Sequence, residues 1–572
     1  MIFRHLLIAL ILVGFGAPWA VLSYRRLPTP DLESLIERIC FGYAVSFALL
    51  FALSWLRLWL FVPVWGLGVA AATFDAFRRP ALSRARLSLG KEGRVLLGAA
   101  ALYFVARCLP FIVREAPLGW DAYFHMTIAE SILERGRAIS DWLPFENIPL
   151  NYPIGAHLFL ALTEWLTHVR PHLFFELMVV WFTLLSGLQV FALSTRATQN
   201  RTLGCYAALS YLFLADMGSL QYSTWSGLPN LIGIYLLLGL LSELTTPAPS
   251  LYRATPAFVV YFLSACFVHH HVMVTAALTL GFVMAASFVS GDRATAKRIA
   301  FGLLASGVVG APYFMIFLLR AKQLKQTGLG EHLEELPNAW DVLRDVGLGF
   351  VLPVAAGVAV WLKGNVRIAR VPLFALLALL GLYLGVAFGV RTLSLALFDK
   401  EMAPFTPSRF LTDAVVLLAL FAGVFFYSLQ GQASSVRLPI VALIVAGFLF
   451  FNRASYADTF REELPLARRE TYEWIAAHTD PSAALLDKNL HATYFTRRMS
   501  SGFPLPTSEF RALAANKIAL EKIGHNNKRA AKWKRPLLAV VDPKAAEPKG
   551  TVVFTHASGI RVVELVGADG SR

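Results

Sequence analysis

Asp121 is the residue of this chain best placed to do chemistry. It stands in Gly119-Trp120-Asp121-Ala122-Tyr123-Phe124-His125, just after an apolar stretch ends. A carboxylate there can take a proton from an attacking hydroxyl or bind a divalent cation. It can also simply cap the amphipathic helix that follows, and the two roles are compatible. His125 lies one helical turn on. Tyr152 opens Tyr152-Pro153-Ile154-Gly155-Ala156-His157, a turn leading into a helix start. His269, His270 and His271 occupy a tight turn between two apolar stretches. Three consecutive His cannot all face one metal from a regular helix, so at most two join a site; imidazoles there can also hydrogen-bond a phosphate or a sugar. Asp216 ends another stretch on the same face. Trp225 and Asn230 follow in Ser223-Thr224-Trp225-Ser226-Gly227-Leu228-Pro229-Asn230. Trp225 is suited to stacking on a sugar and equally to the interfacial aromatic belt. Arg391 and Arg409 flank a late loop. Each offers a planar, permanently charged fork that suits phosphate or snorkels to lipid headgroups.

These residues are positioned by membrane spans. Of 572 residues, 56% are hydrophobic and 16% charged, and the mean hydropathy is +0.57. A water-facing surface that apolar is untenable, whereas a spanning helix needs about 20 mostly apolar residues. Fourteen spans are predicted near 5–23, 41–55, 58–77, 95–112, 173–195, 203–217, 228–246, 257–270, 272–290, 299–319, 347–362, 371–390, 413–430 and 437–452, with Arg57 marking a turn. The apolar start reads as a retained helix rather than a cleaved leader. Cys40, Cys108, Cys205 and Cys266 all sit in apolar stretches, as small core residues rather than a disulfide framework or metal cluster.

Loop charge sets the orientation. Arg78, Arg79, Arg84, Arg86, Lys91 and Arg94 face one acid, Glu92, in the loop 78–94, which is therefore cytoplasmic. Alternation puts the basic loops 196–202, 291–298 and 363–370 inside too. Outside fall 113–172, 218–227, the turn at 269–271, 320–346, 391–412 and everything after about 453. The net charge of +15 is thus largely topological; the basic residues do not gather on one face, as nucleic acid would require. Within 113–172, Ala122–Arg135 and Pro153–His168 read as short helices lying along the membrane surface. The region 453–572 reads as a small extracytoplasmic α+β domain, with a helix at Thr471–His478, strands near 483–487, 537–541, 551–554 and 560–566, and a basic run from Lys517 to Arg535. The acids, imidazoles, Trp and Arg thus share one face of the membrane, mostly at span ends. That suits a substrate whose phosphate headgroup sits at the interface.

The order of these features resembles the GT-C superfamily of membrane glycosyltransferases. Asp121-Ala122-Tyr123-Phe124-His125 is similar to the Asp-Pro-Tyr-Phe-His type of motif that opens the family's first outer loop. Tyr152-Pro153-Ile154-Gly155 resembles the Tyr-Pro-Pro-Gly-type turn after it, and Ser408-Arg409-Phe410 the late Arg-Phe motif. Thr471-Tyr472-Glu473-Trp474-Ile475 through Ala483 looks like the start of the family's C-terminal domain. The likeness covers roughly 95–500. It implies an all-α polytopic domain of about 13–14 spanning helices with the C-terminal α+β domain, arranged as 1–94 (N-terminal spans and basic loop), 95–452 (catalytic) and 453–572. It implies a multi-pass protein of the inner or plasma membrane. The implied reaction is inverting transfer of a sugar from a polyprenyl-phosphate donor to a glycan, lipid or protein acceptor, amid membrane lipids. Asp121 would be the general base and Arg409 the partner of the leaving phosphate, with His125, Tyr152, Trp225, Asn230, His269, His270 and Arg391 lining the substrate. Mg2+ or Mn2+ on Asp121 or Asp216 is the only cofactor in view. The chain departs from oligosaccharyltransferases in carrying Trp225-Ser226-Gly227 where they have a second acidic motif, and in lacking their Trp-Trp-Asp signature, which argues against transfer to asparagine. A transporter or flippase for a lipid-linked saccharide is the alternative; it predicts charged or broken helices at mid-membrane depth.

Overall fold

The computed structural model describes residues 2–24, 31–78, 89–114, 117–143, 150, 152–246, 251–324, 343, 346–364, 366–386, 407–460, 464–487, 489, 491–500, 536–545 and 550–565. The basic run at 517–535 and the loops 325–342 and 387–406 lie outside them. The described helices are α1 Ile2–Tyr24, α2 Leu32–Ser54, α3 Phe61–Arg78, α4 Gly90–Arg114, α5 Trp120–Arg135, α6 Gly155–Thr167, α7 Phe175–Thr198 and α8 Arg201–Phe213. They continue with α9 Leu228–Thr245, α10 Leu251–Val268, α11 His270–Val289, α12 Arg293–Leu324, α13 Leu348–Leu362, α14 Arg370–Leu384, α15 Pro407–Ser428, α16 Ser434–Asp458, α17 Leu466–His478 and α18 His491–Thr496. Among the described residues nine helices are long and apolar enough to cross a membrane, and four shorter apolar helices accompany them. The chain is a multi-pass membrane protein of all-α architecture with a small C-terminal α+β part.

Burial separates the centre of the bundle from its lipid-facing rim. In α7 and α9, 89% of the apolar window is buried, against 17% in α12. Leu304, Val308 and Leu318 of α12 are exposed, as side chains solvated by lipid should be. The second helix is longer than the stretch 41–55. It starts at Leu32 because its polar first turns are paired: Arg201 meets Glu33 at 2.7 Å, and Arg196 meets Asp31 at 3.1 Å and Glu37 at 3.3 Å. Paired acids can stay helical where lone ones would break the span. This helix packs on α1, α7, α9 and α10, so the N-terminal helices are built into the bundle.

The two short loop helices are packed into the protein rather than left open on its surface. Helix α6 is apolar nearly all round, and a helix of that kind is buried. It wedges against α1, α2, α9 and α10. Gly155 permits the approach, since a Cβ there would stand 2.8 Å from the Phe267 carbonyl oxygen. Helix α5 buries Ala122, Met126, Ile128, Ala129 and Ile132 against α6 and is covered by α18.

After α17 comes a five-stranded mixed sheet in the order β2-β1-β3-β5-β4. The strands are β1 Ala484–Leu486, β2 Met499–Ser500, β3 Leu537–Val541, β4 Gly550–Thr555 and β5 Arg561–Leu565. Strands β2 and β3 pair parallel with β1, while β5 pairs antiparallel with β3 and β4. The expected strands all fall in this sheet. The short α18 and β2 are additions that their length hid from sequence reading. Through α18 the domain reaches the helix that carries Asp121: the Tyr123 and His491 rings lie 4.0 Å apart.

Candidate active site

The start of α5 is set by its neighbours. Gly119 has φ +79°, and a Cβ on it would come within 2.8 Å of the Thr224 carbonyl oxygen and 2.9 Å of the Trp225 carbonyl carbon. Ser226 donates its hydroxyl to the Leu118 carbonyl. From α4, Arg107 donates to the Leu220 carbonyl at 3.1 Å and the Ser223 hydroxyl at 2.8 Å. The segment 216–227 is thereby tied both to the preceding span and to the residues just before Asp121. Asp121 itself is not the helix cap. Gly119 holds that position, and Asp121 sits in the first turn, where the exposed N–H groups favour a negative charge. Its side chain keeps a partial opening to the surface. Burial nevertheless pushes its carboxyl up to about 6, and the charge of Arg409 works against that rise. Such a group is mostly ionised at neutral pH yet basic enough to accept a proton.

A wall of rings stands beside it. His125 and His157 share a hydrogen bond at 3.0 Å. Burial holds both imidazoles down, His157 to about 3, and the charge of Arg409 adds to the effect on His125. Both are therefore neutral, one donating to the other. Tyr152 lies 5.7 Å from His125, 5.4 Å from His157, 5.7 Å from His269 and 5.0 Å from His270, ring to ring. Burial raises the Tyr152 phenol, and the charge of Asp121 raises it further. His269 and His270 stack at 4.6 Å, each with a buried Nδ1 that has no partner among the described residues. Arg409 lies over Trp225 at 5.8 Å, and its charge acts on Asp121, His125 and Tyr152. One carboxylate, one guanidinium and a rim of neutral donors and rings thus converge at one end of the bundle.

The three consecutive histidines divide. His269 and His270 join this wall, while His271 turns inward to Asp413 at 3.0 Å. Asn230 is buried in the same inner layer, donating to the Tyr222 hydroxyl at 2.9 Å and to Asp413 at 3.4 Å. Sequence reading placed Asn230 on the substrate; here it braces Tyr222. Asp413 and His157 were passed over. Asp413 had a signal, an ionisable residue inside an apolar span four positions after Arg409. His157 closes the Tyr152 motif. Arg391 lies outside the described residues.

Asp216 is buried in the bend Asp216–Leu220, with its Cβ 3.5 Å from where a Cβ on Gly347 would be. Among the described residues no group of three His, Cys, Asp or Glu side chains is disposed to hold a metal ion. The four cysteines are free.

No family model matches the chain, and no curated protein does. Solved structures do. An oligosaccharyltransferase from Archaeoglobus fulgidus superposes with a TM-score of 0.55 at 12% identity, over 79% of this chain and 70% of that one. ArnT from Cupriavidus metallidurans, bound to undecaprenyl phosphate, gives 0.56 at 13% identity over 84% and 100%. The mycobacterial arabinofuranosyltransferase AftD gives 0.53 at 15% over 84% of this chain but 42% of that one. Other structures of the Archaeoglobus enzyme hold an inhibitory peptide with dolichol-phosphate, or Zn with sulfate. The present chain shares its fold with these structures, a GT-C-like fold.

Proposed function

We propose that the chain is a membrane glycosyltransferase that moves a sugar from a polyprenyl-phosphate donor to an acceptor hydroxyl outside the cytoplasm. The observation that carries this reading is the pairing of Asp121, its carboxyl raised to about 6, with the charge of Arg409 beside a wall of neutral rings. The acceptor oxygen bonds to the anomeric carbon from the face opposite the leaving group, and its proton passes to the Asp121 carboxylate. The bond from that carbon to the phosphate oxygen breaks, and its electron pair leaves with the polyprenyl phosphate. Arg409 stabilises the charge that develops there. Attack from the opposite face inverts the anomeric centre. The neutral donors of His269, His270 and Tyr152 suit sugar hydroxyls, and Trp225 backs the guanidinium. A lipid donor fits a site at span ends, where the headgroup meets protein and the tail stays in the bilayer. The GT-C-like fold and the undecaprenyl phosphate held by one structural neighbour support the same donor class. The acceptor is a cell-envelope glycan, lipid or protein, and the protein resides in the inner or plasma membrane with its C-terminal domain outside.

The test is mass spectrometry of cell-envelope glycans and lipids from a strain lacking this protein. One glycosyl substituent disappears, and it returns with the wild-type chain but not with Asp121→Asn. Full restoration by that variant refutes the assignment of the base.

A further inference from the structure

Behind Arg409 lies a chain of polar contacts that the transfer step does not use. Asp413 follows Arg409 by one helical turn on α15 and is buried within the membrane-spanning part of the molecule. An isolated carboxylate in that setting is costly, so its partners define what it does. Its Oδ2 lies 3.0 Å from His271 Nε2, which also lies 3.2 Å from the Thr275 hydroxyl. Its Oδ1 accepts from Asn230 Nδ2 at 3.4 Å, and the same amide donates to the Tyr222 hydroxyl at 2.9 Å. The Tyr222 ring stacks on Trp225 with centroids 5.2 Å apart, and Trp225 is the ring beneath Arg409. Asp413, His271, Asn230 and Tyr222 are all buried, whereas Trp225 and Arg409 are partly open. The network therefore runs from the interior of the bundle outward to the guanidinium, and α15 carries both Asp413 and Arg409.

We propose that Asp413 is a positioning residue for the lipid-phosphate site: acting through Asn230, Tyr222 and Trp225, it fixes the surface against which the Arg409 guanidinium rests. This inference rests on the reading of Arg409 as the partner of the donor phosphate. A guanidinium on a flexible stem loses side-chain freedom when it binds, and a fixed indole face limits beforehand how much remains to be lost. Asp413 touches no substrate atom in this account.

The test is a double-mutant cycle on binding of undecaprenyl phosphate to the full-length protein in nanodiscs. Arg409→Ala weakens binding at least tenfold. Asp413→Asn replaces one acceptor oxygen by a donor that faces Asn230 or His271, and weakens binding about tenfold, the scale of one buried hydrogen bond. Tyr222→Phe keeps the ring on Trp225, removes only the hydroxyl, and weakens binding about threefold; it carries the test if Asp413→Asn does not fold. The decisive readout is coupling. In the Arg409→Ala background, Asp413→Asn and Tyr222→Phe each change binding by less than twofold. In a transfer assay they raise donor KM and leave acceptor KM unchanged, a division that general loss of structure does not produce. Equal losses with and without Arg409, or wild-type binding by both variants, overturn the inference. Failure of the wild-type chain to bind undecaprenyl phosphate, or indifference of binding to Arg409→Ala, instead refutes the underlying functional reading and removes the inference with it.

Discussion

Replacing Asp121 by Asn separates a catalytic carboxylate from a structural one. Burial moves this carboxyl from 3.8 to about 6 despite the opposing Arg409. At about 1.4 kcal/mol per tenfold change in proton affinity, keeping the side chain ionised in the folded protein costs roughly 3 kcal/mol. Its partial exposure and its place in the first turn of α5 reduce that figure to about 1–2 kcal/mol. The sign follows from linkage. The folded state keeps this proton up to about pH 6, whereas the unfolded chain releases it near 3.8. This contribution to stability is therefore fully present below pH 4 and is lost as pH rises towards 6. Asn cannot ionise, so Asp121→Asn unfolds at a higher temperature than wild type at pH 7.5, and the two converge near pH 4. Transfer is lost by a factor of about 10² to 10⁴, the usual contribution of a general base. Thermal unfolding followed by tryptophan fluorescence across pH, together with sugar transfer by the same preparations, measures both. A variant that is less stable at pH 7.5, or a stability difference that does not change with pH, refutes the reasoning and makes Asp121 a structural residue.

Three further outcomes are expected. Arg409→Lys keeps the charge but loses the fork and the stacking on Trp225, so donor binding falls about tenfold in a nanodisc titration. Gly119→Ala forces a φ of +79° with an extended ψ on a side chain that would also meet the Thr224 carbonyl; it costs about 1–3 kcal/mol in backbone strain, and transfer falls more than stability does because Asp121 is displaced. Burial and the neighbouring Glu130 push the Glu164 carboxyl up to about 8 against the pull of Arg170 and Arg497. A raised carboxyl loses its stabilising effect as pH increases towards that value, so unfolding temperature declines between about pH 5 and 8, and Glu164→Gln flattens the decline.

The spans were legible in the sequence because hydropathy reports them directly. What it missed has a common physical cause. The start of α2 is too polar to read as a span until Arg196 and Arg201 arrive from another helix to pair its acids. Helix α6 reads as a surface element until α1, α2, α9 and α10 close around it. In each case tertiary partners, invisible along the chain, decide the environment. The site divides in the same way. Asp121, His125, Tyr152, Trp225, His269, His270 and Arg409 stand out by residue type at span ends, and the fold brings them to one region. Asn230 and His271 were read by type alone, and only the packing of α9, α11 and α15 shows them facing Asp413.

The central claim is cleavage of a lipid-linked sugar at Asp121. Reconstituted protein supplied with the lipid-linked sugar fraction of its own membranes should release one polyprenyl phosphate for each sugar transferred, and Asp121→Asn should release it at least about a hundredfold more slowly. Undiminished release from that variant, or movement of intact sugar-lipid across the bilayer without release of polyprenyl phosphate, would contradict the account.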